Sequence, residues 1–130
     1  MADFCADDTQ LKSVGYLSLR DPERAQTSLK LALELGINAI WIGSDAVEGR
    51  APSHIAYDPL WAMMEEAGVP VTLHIGSGQN MPSVYMNTGT EMVLAGNIGN
   101  IETTKPKDLP VIHHTIERWI TCMIFDGVLE

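Results

Sequence analysis

Three features of this sequence predict an α/β protein with a parallel sheet and outer helices. They are short β-rich apolar runs, helices with matching punctuation between those runs, and connections elaborated on one side only. The runs are 13–19 (SVGYLSL), 38–42 (NAIWI) and 70–75 (PVTLHI). None alternates cleanly with polar residues, so each reads as a strand buried on both faces, as in parallel sheets.

The first helix is opened by Asp21-Pro22, an acceptor side chain at the cap followed by proline at the first helical position, and is closed by Gly36. Asp58-Pro59 opens the second in the same manner, and Gly68 closes it. Ala25, Leu29, Ala32 and Leu33 form an apolar stripe on the first; Leu60, Met63, Met64 and Ala67 form one on the second. The repeat of strand, Asp-Pro, helix, glycine and strand is that of consecutive αβ units. A third helix is predicted over 109–125, capped by Asp108, with Ile112, Ile116, Trp119, Ile120 and Met123 on one face.

The returning connections at Gly36-Ile37 and Gly68-Val69 are minimal, whereas those after Ile42 (43–56) and after Ile75 (76–108) are long. Long connections that all follow the C-terminal ends of parallel strands mark the side where such folds place their ligands. The segment 76–108 is expected to be a long loop or lid, and residues 1–130 a single domain.

Composition narrows the function. The chain has 130 residues, 8 basic against 17 acidic side chains, a formal charge of −9 and 45% hydrophobic residues. That is globular composition, with no basic cluster for nucleic acid or for an anionic membrane surface. No signal-like start and no apolar run long enough to span a bilayer is present, which predicts a cytoplasmic protein. Cys5 and Cys122 lack metal-type spacing and read as incidental thiols. There is no Gly-x-Ser-x-Gly elbow and no phosphate loop, and Gly76-Ser77-Gly78 lacks the third glycine of a dinucleotide fingerprint.

The candidate site residues gather on the elaborated side. Alternation in 71–75 places Thr72 and His74 on one face of the third strand and Val71, Leu73 and Ile75 on the other, so His74 points to the sheet's interior or a barrel lumen. Ser44 and Asp45 follow the second strand, and His54 lies in the same connection. His113 and His114 are adjacent, so their directions differ by about 100° in a helix and they are not expected to share a site.

Several of these segments together resemble the amidohydrolase-related family, the branch of the amidohydrolase superfamily that includes aminocarboxymuconate-semialdehyde decarboxylase-like enzymes and related metal-dependent hydrolases. The residues that carry the resemblance are Asp21-Pro22-Glu23-Arg24-Ala25, Leu35-Gly36, Ser53-His54, Asp58-Pro59-Leu60-Trp61, Glu66-Ala67-Gly68-Val69-Pro70-Val71 and Leu73-His74-Ile75-Gly76. Trp119 and the ending Phe125-Asp126-Gly127-Val128-Leu129-Glu130 look like the helix that leads into the family's sixth barrel strand.

The resemblance implies a partial TIM-like (β/α) barrel of about three parallel strands with outer helices. It implies a divalent metal, usually zinc, held on the C-terminal face, with His74 at the position of the ligand that ends the fifth strand. His54, Ser44 and Asp45 would then lie beside a small carboxylate-bearing substrate, to be hydrolysed or decarboxylated without oxidation. The family's His-x-His occurs nowhere in this chain, and neither its histidine after the sixth strand, which assists catalysis, nor its eighth-strand aspartate ligand has a counterpart here. The chain is therefore expected to be an internal segment, inactive alone, that self-associates or joins the remainder of a barrel. The alternative is a non-catalytic α/β module, or a truncated product, that self-associates or binds a small ligand.

Overall fold

The computed structural model describes residues 2–74, 82–87, 89 and 107–129. A short helix α1 (Ala2–Cys5) precedes strand β1 (Val14–Tyr16), helix α2 (Pro22–Glu34) and strand β2 (Ala39–Gly43). A 3₁₀ turn at Ile55–Tyr57 leads into α3 (Asp58–Ala67) and strand β3 (Val71–His74). A short helix α4 (Ser83–Met86), a 3₁₀ turn at Leu109–Val111 and helix α5 (His114–Phe125) follow. The strands form one parallel sheet in the order β1-β2-β3, with Tyr16 opposite Trp41 and Gly43 opposite His74. This is the predicted α/β architecture of a partial TIM-like barrel. Ile75 and most of 76–108 lie outside the described residues.

The start of α2 follows from local chemistry. The Asp21 carboxylate accepts hydrogen bonds from the Glu23 and Arg24 amides at 3.0 and 3.1 Å, and Pro22 supplies a preset φ at the first helical position. Asp21→Ala is expected to cost about 1 kcal/mol, read as a fall in the urea midpoint with an unchanged m-value.

The three long helices also end alike. Gly36, Gly68 and Gly127 adopt φ of 75°, 61° and 76°. In each case the residue after the glycine donates back five positions: Ile37 to Ala32, Val69 to Met64, and Val128 to Met123, at 3.0, 3.0 and 2.9 Å. This is the Schellman exit, which satisfies orphan carbonyls and turns an apolar residue inward. Ile37, Val69 and Val128 all pack against the core.

The core lies between the sheet and the helices. Ile40 and Ile42 of β2 meet Ala25 and Leu29 of α2 and Leu60 and Met64 of α3, with Trp119 and Met123 of α5 closing one side. Tyr57 is buried among them and its hydroxyl donates to the Leu19 carbonyl at 2.7 Å. Leu17 and Leu19 belong to this core although they follow β1, which is shorter than the run 13–19.

Four expectations need correction. The strands are not buried on both faces: Tyr16 is 65% exposed, and Val14, Thr72 and His74 are exposed with it. Asp58 does not cap α3; it is the first residue of the helix, and Tyr57 holds the cap position without a side-chain bond. The helix predicted over 109–125 is divided into a 3₁₀ turn and α5, and Asp108, only 1% exposed, makes no side-chain capping bond. The buried stripe of α5 is Thr115, Trp119 and Met123, while Ile120 faces out; on α3, Ala67 is exposed.

Candidate functional site

The sheet has two unlike faces. Ile40, Ile42, Val71 and Leu73 turn toward the helices, and Tyr16, Trp41, Thr72 and His74 turn away from them. On that second face the rings form a ladder across all three strands. Tyr16 and Trp41 have centroids 4.7 Å apart, and the Trp41 and His74 rings meet edge to face at 5.2 Å and 76°. Such a contact packs the imidazole against the indole. Thr72 donates its hydroxyl to the Ile40 carbonyl at 3.1 Å, which leaves its methyl group on this face.

At the C-terminal ends of β2 and β3, the buried Ser44 hydroxyl donates to the His74 backbone carbonyl at 2.9 Å. That bond locks the last residue of β3 to the first residue beyond β2. Ser44 therefore positions His74 through its main chain. Asp45 is half-buried immediately after it.

The connection continues through a tight turn, where Glu48 and Gly49 both have positive φ (53° and 72°) and the Arg50 amide donates to the Val47 carbonyl at 3.0 Å. Glu48 also pairs with Arg20 at 3.0 Å, an exposed contact that contributes little.

His54 is exposed, and its Nδ1 accepts the Ala56 amide at 3.1 Å, so the imidazole acts as the cap of the 3₁₀ turn that opens α3. With Nδ1 accepting, Nε2 is the ring nitrogen left to donate. Of the four residues singled out on the sequence, the structure brings Ser44 and His74 into contact and places Asp45 beside Ser44. It holds His54 on a separate turn, against Ala56 and Tyr57.

Trp41 and Tyr16 were not among those four. Period-two alternation would have found them, because it assigns both to the face of His74.

A cleft of about 1010 Å³ opens on the opposite side of β3, between α3 and α5, lined by Trp61, Leu73, Trp119 and Met123 among others. His74, Ser44, Asp45 and His54 do not line it. It belongs to the helix layer and not to the strand ends.

A sequence model of the amidohydrolase family matches residues 1–129. The chain belongs to the amidohydrolase family. Its fold is similar to the crystal structure of an amidohydrolase from Mycobacterium avium subsp. paratuberculosis K-10, with a TM-score of 0.68 and 22% identity over 98% of this chain. The match takes in 33% of that protein, so this chain spans about a third of its length. No curated protein matches the chain.

Amidohydrolases are hydrolase-type enzymes that generally bind a divalent metal. Among the described residues, His74 belongs to no group of three possible ligands. The group whose ligand atoms do converge, all within 4.8 Å of one another, is His113, His114 and Glu117. A catalytic zinc centre takes three protein ligands and an open position, and His74 alone does not meet that requirement. The residues around it thus do not fit a complete amidohydrolase metal centre, and no catalytic step follows from them. The adjacency of His113 and His114 did not keep their donors apart, contrary to the reading from helical directions. His113 is the residue before α5, and the two ring centroids lie 4.7 Å apart. Among the described residues, no helix is long and apolar enough to cross a membrane.

Proposed function

We propose that this chain forms part of the wall of a metal-dependent amidohydrolase barrel, with the ring-bearing face of the sheet turned to the lumen. His74 supplies one ligand of a zinc centre completed by residues of the remaining barrel, and Ser44 holds that ligand's backbone in place. The connection that follows β2 and carries Asp45 and His54 borders the space for a small carboxylate-bearing substrate, which is hydrolysed or loses carbon dioxide without oxidation; His54 on its own turn can donate to an anionic group there. The metal, when bound, would polarise the scissile group or activate a water. The chain's own part is to present one imidazole and a donor for an anion.

The observation that carries this reading is the third Schellman exit. Gly36-Ile37 and Gly68-Val69 each turn the chain from a helix into a strand of the sheet, and Gly127-Val128 makes the same turn after α5. Family membership over 1–129 and the share of the mycobacterial amidohydrolase that the chain spans support it as well.

The second reading, a module that associates with itself, draws on the exposed Tyr16 and Val14 beside Trp41, an apolar surface that water does not favour. Co-expression with a polypeptide supplying the remaining barrel units separates the two. The first reading expects a soluble complex with one equivalent of zinc and hydrolytic or decarboxylating turnover of carboxylate substrates. It fails if the chain stays a homodimer that ignores the complementary piece and takes up no metal with it.

A further inference from the structure

The described ligands that converge lie away from β3, at the start of α5. His113 Nε2 stands 3.4 Å from Glu117 Oε1, and the His114 imidazole meets the His113 ring at 74°. All three side chains are exposed, and one donor atom from each lies within 4.8 Å of the others. A spacing of 3.4 Å is long for a hydrogen bond, whose heavy atoms sit about 2.7–3.2 Å apart. It does match the edge of a tetrahedron built on metal–ligand bonds of about 2.0–2.1 Å, which is roughly 3.4 Å. The His113–Glu117 pair thus already has the spacing of two ligands on one zinc. The remaining closure, from at most 4.8 Å, asks only for rotation of an exposed imidazole.

We propose that His113, His114 and Glu117 form a surface site for a divalent first-row transition ion, zinc in the first instance. Two neutral imidazoles and one carboxylate select zinc, nickel or copper over calcium or magnesium, which prefer all-oxygen shells. The chelate closes across one helical turn, since His113 and Glu117 are four apart. Three protein donors leave a fourth position for water or for a donor on another molecule. The chain's charge of −9 favours cation capture, and the glutamate offsets part of the opposing positive end of the α5 dipole. Ordering three exposed side chains keeps the affinity well below that of a preorganised structural zinc centre. The site is independent of His74 and stands whether or not the chain contributes to a catalytic metal.

The test is titration of the 130-residue chain with zinc chloride, followed by calorimetry and by the imidazole resonances of its four histidines. One saturable equivalent is expected, with His113 and His114 shifting first and His54 and His74 unmoved. H113A and E117Q should each weaken uptake about tenfold or more, H74A should leave it unchanged, and magnesium chloride at the same concentration should produce no shift. Circular dichroism of each variant should match the parent, because all of these side chains are exposed. The proposal is overturned if the H113A/H114A double variant takes up zinc like the parent, if H74A alone abolishes uptake, or if no saturable binding occurs.

Discussion

Replacing Leu60 with alanine is expected to abolish cooperative folding of the chain or bring it close to that point. Leu60 is fully buried on α3, in the cluster that also holds Leu29, Ile40 and Ile42. Removing a leucine side chain from such a site costs about 2–5 kcal/mol, through lost transfer energy and the cavity left behind. A whole domain is stable by only about 5–15 kcal/mol, and a small one with an exposed sheet face sits toward the lower end of that range. Urea unfolding followed by far-UV circular dichroism should show a large drop in midpoint or no folded baseline. Leu31, on the same layer but 55% exposed, is the control, and its alanine variant should stay within about 0.5 kcal/mol of the parent. Equal effects at the two positions would mean that the helix layer does not pack through Leu60.

The second large effect concerns His74. In the assembled barrel, His74→Ala should remove the zinc and lower turnover by about a hundredfold or more, since loss even of a residue that only orients a ligand costs about 10–100-fold. In the 130-residue chain, the same substitution should change stability by no more than about 0.5 kcal/mol, because the side chain is exposed. The contrast separates a ligand from a structural histidine. Ser44→Ala adds a finer reading: its hydroxyl bonds to the His74 carbonyl, so the variant should keep the metal but bind it more weakly than the parent. Full metal content and full turnover in the alanine variant of His74 would return it to the structural residues of the sheet.

Where the sequence reading held, the chemistry was local. Asp21 captures two amides within three residues of itself, and Gly36 and Gly68, at positive φ, end the first two long helices as their positions predict, so neither feature depends on distant contacts; the same exit at Gly127 was not read from the sequence. Where it failed, a neighbour acted first. Asp58 resembles Asp21 on paper, but His54 already caps a 3₁₀ turn at Ala56, and the chain is helical by the time it reaches Asp58. Pro110 falls in the 3₁₀ turn that divides the predicted third helix from α5.

The faces of β3 were legible from alternation alone: Val71 and Leu73 turn to the core, and Thr72 and His74 turn away from it. Burial on both faces was not legible, because it depends on what covers the sheet and not on the strand. The His113–His114 pair shows a different limit: helical angles describe how Cα–Cβ bonds leave the backbone, whereas long rings at a helix start reach toward each other.

The repeated helix exits also decide where this polypeptide can be cut. At Gly36-Ile37 and Gly68-Val69 a break would sever the hydrogen bond that turns each helix and would free an apolar residue from the core, so neither junction tolerates a nick. The connection between β2 and α3 is different. Ala46, Glu48 and Gly49 are exposed in a tight turn, clear of the buried Ser44 and of the His54 cap. New termini placed there would leave the described pairings of β1, β2 and β3 intact, which makes that turn the permissive breakpoint for splitting the chain into two complementing pieces.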